Sequence, residues 1–230
     1  MRPFVEVVCE NELACSTLHG AELENTLHEA YMATISVHRE IPDGLIDGTL
    51  VPRCSDPSTP EAKIVAKFKE RTDAVSHPGV YQQGIATTEG LSPTTTEHKK
   101  AIKDVYNYRF GKWHHDQSLA HAIDSIMEPH TSMADIRKGF RKYLRNHEEL
   151  PIEGRKQAAS TFCKVFSAAL EKVLANDQDE LHKHILVEFG FSSQLKDRLR
   201  QHRKHESSNF LMNLYHACLM YRHRDKYILY

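Results

Sequence analysis

The chain has 230 residues, of which 40% are hydrophobic and 27% are charged. This composition is typical of a folded globular protein and excludes a largely disordered chain. No run approaches the roughly 20 consecutive apolar residues that cross a membrane, and the N-terminus lacks the basic start and unbroken apolar core of a secretory signal. We therefore expect a cytoplasmic protein, or one delivered to another cell's cytosol without a conventional signal peptide.

Charge is distributed unevenly along the sequence, although the formal net charge is only −1. Residues 1–94 carry 7 basic and 14 acidic side chains, whereas residues 95–230 carry 23 and 17. We therefore predict an acidic, loop-rich N-terminal region over 1–94 and a basic helical bundle over 95–230. The two regions are either separate domains or parts of one domain.

The N-terminal region is predicted to hold two helices. The valine-rich segment Pro3–Cys9 favours a short strand or an extended arm, and apolar residues at helical spacing predict a first helix over 21–40. Prolines and glycines make residues 41–59 typical of a loop. Thr59-Pro60-Glu61 then combines an N-cap, a proline at the first helical position and an acid in the first turn. This pattern predicts a second helix that ends near residue 76.

Residues 77–96 are rich in glycine, proline and threonine and are predicted to form a hinge or linker. Thr94 and Glu97 have the spacing of a capping box, which predicts that a helix begins there. Gly190 directly follows Phe189 and is predicted to end a helix as its C′ residue. Further helices are predicted near 97–109, 113–128, 132–149, 153–175, 177–189, 192–205 and 207–223. The sequence thus predicts a mainly α protein, an irregular multi-helix bundle with a loop-rich N-terminal part.

The five cysteines are odd in number, widely spaced and without a Cys-x-x-Cys pair. This pattern favours free thiols in a reducing compartment. Cys163 and Cys218 lie on the apolar faces of predicted helices, so we expect them to pack as small hydrophobic residues. Cys9, Cys15 and Cys54 lie in segments predicted as loop or extended chain.

The sequence is rich in histidine, with 16 residues, and the densest group begins at His114. On a helix, His114, His121 and Asp124 fall on one polar side, so we expect this trio to face solvent. His202 and His205 have the spacing of a chelating pair on one helix face. The basic residues around that pair disfavour a bound cation, and a titrating basic surface is predicted instead.

His115 and Asp116 flank the apolar side of their predicted helix and are the candidate metal ligands. The doublet resembles, over these two residues alone, the helical His-Asp pair for which a group of metal-dependent phosphohydrolases is named. That resemblance implies a divalent metal that activates water, held together with an upstream histidine and a downstream aspartate. The alternative is a half-buried histidine that hydrogen-bonds to a neighbour. The residues that could complete the ligand set are His77 or His98 and Asp177 or Asp179.

A basic helix is predicted within 132–149, with apolar residues on one side and five cations over an arc of about 140° on the other. Such a face can contact an acidic protein surface, the phosphates of nucleic acid or anionic lipid. The neutral overall charge and the lack of a basic tail count against nucleic acid, and the lack of exposed aromatic residues on this helix counts against membrane insertion. The alternative is a solvated face that the acidic region partly neutralises. The candidate interaction residues are Arg137, Lys138, Arg141, Lys142 and Arg145.

The familiar catalytic motifs, such as Gly-x-Ser-x-Gly, the phosphate-binding loops and His-Glu-x-x-His, do not occur in the sequence. We therefore predict a helical protein-interaction or regulatory protein whose partner has an acidic surface. The scarcity of motifs is also compatible with a lineage-restricted, effector-like protein. The alternatives are a metal-dependent phosphohydrolase that uses His115 and Asp116, and a nucleic-acid-binding helical domain. No cofactor is expected under the first hypothesis, and a divalent metal is expected under the second.

Overall fold

A computed structural model gives the fold over the residues that it describes. These are 50–74, 79–110, 114–127, 141–145, 150–173, 177, 186–192, 194–206, 209–224 and 226–229. The arm or strand predicted at Pro3–Cys9 and the helix predicted over 21–40 lie outside them, as does Cys15.

The described residues form a mainly helical fold with one small β-sheet, which confirms the predicted fold class. The α-helices are α1 (Leu50–Ser55), α2 (Pro60–Ala74), α3 (Thr95–Phe110), α4 (His114–Asp124), α5 (Glu153–Glu171), α6 (Leu195–Arg203) and α7 (Phe210–Arg222). A 3-10 helix spans Lys142–Leu144, and the strands are β1 (Gly79–Thr87), β2 (Val187–Ser192) and β3 (Tyr227–Leu229). Of the helices in this part of the chain, none has the length and apolar character needed to cross a membrane.

Two predicted helix starts are confirmed by their capping hydrogen bonds. The Ala62 amide donates to the Thr59 hydroxyl oxygen at 3.2 Å, and Pro60 is the first residue of α2. At the start of α3, the Thr94 amide donates to Glu97 Oε2 at 2.8 Å, and the Glu97 amide donates to Thr94 Oγ1 at 3.2 Å. These bonds satisfy N–H groups that the first turn of a helix leaves without partners.

The segment predicted as a hinge or linker contains the central strand of the sheet. β1 lies between β2 and β3 and is antiparallel to both, with Gly79 opposite Ser192 and Ile85 opposite Leu229. The prediction is therefore wrong over residues 79–87. Local composition did not reveal the strand because its hydrogen-bond partners come from distant parts of the sequence. The division of the chain into two domains near residue 94 stays a prediction.

The helix predicted over 177–189 is wrong at its C-terminal end, where the chain forms β2. Gly190 is not a C′ residue, since it lies opposite Tyr81 of β1. Phenylalanines flank this glycine in the sequence, and aromatic residues fit the pleated surface of a strand. Spacing alone had favoured a helix. Residues 178–185, which include His182 and His184, lie outside the described part of the chain.

The helix predicted over 132–149 does not extend through residues 141–145. Arg141 has a left-handed backbone with φ of 61°, a 3-10 helix follows it, and Arg145 pairs with Pro151 in an isolated antiparallel bridge. A non-glycine residue with positive φ interrupts an α-helix at a cost of about 1–2 kcal/mol. Residues 128–140, with Arg137 and Lys138, lie outside the described residues.

The segment predicted as a loop over 41–59 contains α1, which packs against the turn that follows β1. Gly90 in this turn has φ of +76°, and a Cβ atom there would meet Ser55 Oγ at 2.3 Å and the Val51 carbonyl oxygen at 2.9 Å. Ser55 Oγ itself donates to that carbonyl at 2.9 Å. Only glycine fits this close approach, so Gly90 fixes the turn against α1.

The core lies mainly between α3, α5 and α7 and contains several fully buried tyrosines. A buried tyrosine hydroxyl requires a hydrogen-bond partner, because water is excluded. The fully buried tyrosines are Tyr108, Tyr143, Tyr215 and Tyr227. Their hydroxyl partners are, in the same order, Asp124, His205, His98 and Glu97. The core therefore holds polar side chains at defined positions.

Candidate functional site

Asp124, the last residue of α4, is the centre of a buried polar cluster. It is only 2% exposed. Its Oδ1 accepts a hydrogen bond from the Tyr108 hydroxyl at 2.6 Å and from the Lys142 amide at 3.2 Å, and its Oδ2 accepts from the Arg141 amide at 3.0 Å. The carboxylate thereby holds the left-handed turn at Arg141 against the ends of α3 and α4. The prediction that Asp124 faces solvent with His121 is wrong, although His121 itself is exposed.

Lys142 belongs to this cluster and not to an exposed basic face. It is 4% exposed, and its ammonium donates to the Asp124 carbonyl oxygen at 2.7 Å and to the Met127 carbonyl oxygen at 2.8 Å. A cation at the C-terminal end of a helix satisfies its last carbonyl groups and interacts favourably with its dipole. The prediction that Lys142 lies on the exposed face of a helix is therefore wrong.

Arg141 and Arg145 are fixed by the same short segment. Arg141 Nε donates to the Tyr108 carbonyl oxygen at 2.6 Å, which places its guanidinium at the C-terminal end of α3. The Arg145 carbonyl oxygen accepts from Arg155 Nη1 at 2.8 Å, and the Tyr143 carbonyl oxygen accepts from the same nitrogen at 3.1 Å. These contacts attach the 141–145 segment to α3 on one side and to the first turn of α5 on the other.

A pocket of about 250 Å³ lies where these three pieces of chain meet. Arg109 comes from the last turn of α3, Arg141 and Arg145 flank the 3-10 helix, and Lys156 comes from the first turns of α5. We call this cavity the basic pocket, and none of its described lining residues is acidic. The other described residues that line it are Phe110, Leu144 and Pro151.

The rim of the basic pocket carries an exposed aromatic pair. Tyr106 and Phe110 are 50% and 44% exposed, and their ring centroids lie 4.6 Å apart. Arg109 Cζ lies 3.6 Å from the Phe110 ring centroid, so its guanidinium stacks on that ring. Arg109 Nη1 is buried and has no hydrogen-bond partner among the described residues.

A larger apolar groove of about 780 Å³ follows a different face of α5. Phe162, Val165 and Phe166 contribute to it, and Val165 is 63% exposed. On the helical wheel, Lys156 lies about 160° from the middle of this groove. The groove and the basic pocket are therefore separate surfaces.

The histidines predicted to form a titrating basic surface are buried and neutral. His202 Nε2 lies 2.9 Å from the Tyr81 hydroxyl oxygen, and burial, followed by the nearby Arg198, lowers the pKa of His202 to about 4. His205 is 4% exposed, and burial, followed by the charges of His216 and Lys142, holds its pKa well below the usual value. The surface prediction is wrong because α6 and the turn that follows it pack these side chains against other elements.

Hydrogen-bond directions in the core fix the state of His205 and His216. His216 Nε2 donates to the Tyr227 carbonyl oxygen at 3.1 Å, because a carbonyl only accepts. His216 Nδ1 then accepts from His205 Nε2 at 2.8 Å, and His205 Nδ1 accepts from the Tyr143 hydroxyl at 2.8 Å. This buried histidine chain, Tyr143–His205–His216–Tyr227, occupies both nitrogens of His205. His205 therefore does not chelate a metal with His202.

The candidate metal ligands His115 and Asp116 lie in α4, but their side chains are outside the described residues. His98, a candidate third ligand, is 1% exposed, and its Nδ1 is hydrogen-bonded to the Tyr215 hydroxyl. Within the described ranges, no group of three or more histidine, cysteine, aspartate or glutamate residues is placed to hold a metal ion. The divalent metal stays a prediction. Of the other candidates, His77 and Asp179 also lie outside the described residues, whereas Asp177 lies within them.

The cysteines on helix faces are packed as predicted. Cys163 and Cys218 are buried in the core, and their thiols are free. Burial raises the pKa of Cys163 to about 11 and holds that of Cys218 well above its usual value. Both thiols are therefore protonated and unreactive at neutral pH. Cys54 is also free, and burial, followed by the charge of Glu61, raises its pKa to about 11.

Sequence reasoning missed two of the four cations in the basic pocket, Arg109 and Lys156. Each had a local signal, since Arg109 falls in the last turn and Lys156 in the first turns of a predicted helix. Their convergence with Arg141 and Arg145 depends on contacts between distant parts of the chain, which spacing does not show.

Comparison of the chain with protein families, with curated proteins and with solved structures found no match.

Proposed function

We propose that the protein is a non-catalytic helical binding or regulatory protein, and that its basic pocket receives an acidic side chain of a protein partner. The single observation that carries this proposal is the convergence of four cations, Arg109, Arg141, Arg145 and Lys156, around one cavity without an acidic lining residue among those described. Positive charges gathered in a cleft attract and orient an anion, and they speed association with an acidic surface.

The chemistry of the lining favours binding over catalysis. Arginine is always charged and offers several N–H donors but no base. Lys156 forms an ion pair with Glu153. The described part of the lining thus supplies hydrogen-bond donors and positive charge, and it contains no carboxylate, imidazole or thiol. The phosphohydrolase and the nucleic-acid-binding domain stay alternative predictions. A cytoplasmic location is part of the proposal, because free thiols fit a reducing compartment.

The proposal is tested with fluorescein-labelled poly-L-glutamate as a probe and fluorescence anisotropy as the measurement. We expect the wild-type protein to bind this probe, and the variant Arg109→Gln/Lys156→Gln to bind it about tenfold more weakly. Glutamine has nearly the same helix propensity as arginine and lysine, so α3 and α5 are retained. Thermal unfolding of both proteins verifies this.

The matched control is Arg200→Gln/Arg203→Gln, which removes the same number of charges from α6. Both residues are exposed and lie outside the basic pocket. We expect their replacement to change the affinity less than twofold. Equal losses in the two double variants, or an unaltered affinity in the first, would contradict the assignment of the site.

A further inference from the structure

We propose that the apolar groove along α5 is the docking site of the N-terminal region of the same chain, which binds through the apolar side of the helix predicted over 21–40. That segment lies outside the described residues. The groove is formed by α5, by Leu186 just before β2 and by Leu211 of α7, and we call it the α5 groove. It is separate from the basic pocket, so this inference does not rest on the proposed function.

The α5 groove is an apolar surface at a position where a solvent-facing helix normally carries charged residues. None of the described residues that line it is charged. Val165 is 63% exposed, the highest value among the large hydrophobic side chains in the described part of the chain. Contiguous apolar surfaces of this kind mark places where another piece of protein binds.

The side of α5 that lines the groove is shaped to accept a helix. Gly154, Ala158, Thr161, Val165 and Ala169 follow one another at intervals of three or four residues, so they lie on one side of α5. None of these side chains is large, and the distance between two packed helices depends on the size of the side chains between them. A second helix can therefore approach α5 closely here.

The aromatic residues of the groove are fixed by the core. The ring centroids of Phe162 and Phe166 lie 5.4 and 6.0 Å from that of Tyr215, which is fully buried. The two phenylalanine rings also pack on each other, with their centroids 5.4 Å apart. The groove is thus formed before anything docks in it, and less conformational entropy is lost on docking.

The apolar side of the predicted helix has the length of the groove. From Gly154 to Ala169 the groove follows α5 for about 22 Å. From Leu23 to Val37 the apolar side of a helix over 21–40 extends for about 21 Å. The other residues on that side are Leu27, Ala30, Tyr31 and Thr34.

The path of the chain brings the N-terminal region to the groove. The described chain begins at Leu50 in α1, where Val51 is buried and forms a small cluster with Ala86. Val187 packs against this cluster, and it directly follows Leu186, which lines the groove. Residues 41–49 join the predicted helix to α1 and span at most roughly 30 Å. The segment 21–40 is therefore within reach of the groove.

The connection to α1 favours this segment over a separate partner. A tethered segment meets its site at an effective concentration that reaches the millimolar range for a short linker. A separate molecule loses translational and rotational freedom when it binds. Docking of 21–40 would make the acidic N-terminal region and the helical bundle parts of one domain.

The experiment measures hydrogen exchange of the full chain by mass spectrometry, with the amides of residues 21–40 as the readout. We expect slow exchange in the wild-type protein and exchange at least about tenfold faster in Val165→Asp, because a charge in the groove disfavours apolar contact. Valine and aspartate have similar helix propensities, so α5 is retained. The matched control is Val65→Asp on α2, where the valine is 39% exposed, and it should keep the slow exchange.

A second pair of variants changes the segment itself. Leu27→Asp/Tyr31→Asp places two charges on the apolar side of the predicted helix, and Asn25→Asp/Ser36→Asp places two on the opposite side. Val165→Cys adds a thiol in the groove, and its labelling by a maleimide is located by peptide mass spectrometry. Labelling should be about tenfold faster after Leu27→Asp/Tyr31→Asp and unchanged after Asn25→Asp/Ser36→Asp.

The outcomes identify what occupies the groove. Rapid exchange of residues 21–40 in the wild-type protein, or equal exchange in Val165→Asp and Val65→Asp, would overturn the proposal. Slow exchange that is lost on dilution, together with a dimer in sedimentation velocity, would assign the groove to the segment of a second copy instead. Binding of poly-L-glutamate should be the same in Val165→Asp and the wild-type protein, because the basic pocket is a separate surface.

Discussion

The basic pocket and the buried histidine chain are two polar regions that the 3-10 helix joins. In the pocket, arginine side chains reach the surface beside exposed aromatic rings. In the chain, His205 and His216 are neutral and hydrogen-bonded inside the core. Tyr143 belongs to the segment 141–145, which also lines the pocket, and its hydroxyl donates to His205 Nδ1.

The difference between the two regions is the state of charge that each environment allows. A guanidinium keeps its charge and so stays where solvent or an anion can reach it. An imidazole loses its proton when burial makes the charged form costly. Residues that the sequence pattern assigns to one basic surface therefore divide into a charged pocket and a neutral part of the core. The pocket should respond to substitution mainly in binding, and the histidine chain mainly in stability.

The largest effect is expected from Asp124→Ala, which removes the residue that supports both regions. Three donors, the Tyr108 hydroxyl and the Arg141 and Lys142 amides, lose their acceptor inside the protein. We expect a loss of about 3–5 kcal/mol in the free energy of unfolding, measured by urea denaturation, together with loss of poly-L-glutamate binding. The control is Asp197→Ala on α6, where the half-exposed ion pair with Arg200 contributes less than about 1 kcal/mol. A similar small loss for Asp124→Ala would show that the cluster does not organise the two regions.

Acid is expected to destabilise the histidine chain. Burial lowers the pKa of His216 in the folded protein to about 4, below the value of about 6.5 for an unfolded chain. Its contribution is fully present above pH 6.5 and is lost as the pH falls towards 4, because the unfolded state binds the proton first. This shift corresponds to roughly 3 kcal/mol. Urea unfolding measured from pH 7 down to pH 4.5 should show the decline.

His216→Gln should make this dependence on pH less steep while lowering the stability at pH 7, since this side chain no longer titrates whereas His202 and His205 still do. His121→Gln, at an exposed position on α4, serves as the matched control and should keep the wild-type slope. If His216→Gln retains the full slope, the acid sensitivity has another origin, such as His202, whose pKa burial also lowers to about 4.

The sequence predicted those local structures whose stabilising contacts come from residues close together in the chain. The capping residues Thr59 and Thr94 were found because an N-cap bonds to residues within one turn. β1 was missed because its partners are β2 and β3, far away in the sequence. A helix was predicted at Arg141 because spacing does not show that a distant carboxylate, Asp124, accepts the amides of two successive residues.

The candidate site was foreseen in part for the same reason. The predicted contact at Arg141 and Arg145 gave two of the four pocket cations, although on a helix that does not extend to them. Lys142 was grouped with them because charge suggests exposure, whereas its ammonium instead satisfies carbonyl groups at the end of α4. His205 was taken as surface because its neighbours in sequence are basic, and burial by other elements is not visible there.

The smallest effect on stability is expected at Arg141. Among the described residues, Arg141 and His205 are the non-glycine residues with a left-handed backbone, with φ of 61° and 57°. Arg141→Gly removes the strain of about 1–2 kcal/mol that this conformation imposes. It also deletes the hydrogen bond to the Tyr108 carbonyl oxygen and increases the entropy of the unfolded chain. These terms oppose each other, so we expect the free energy of unfolding to change by less than about 1 kcal/mol. Binding of poly-L-glutamate should weaken about tenfold, because a pocket cation is lost.

His205→Gly tests the same backbone conformation in the other region. Glycine relieves the same strain, but it removes the ring that links Tyr143 to His216 and leaves two buried groups without their partner. We expect a loss of about 2 kcal/mol in stability and an affinity for poly-L-glutamate within twofold of the wild-type value. If Arg141→Gly destabilised the protein as much as His205→Gly and retained the affinity, Arg141 would belong to the structural cluster alone, and the basic pocket would lose one of its four cations.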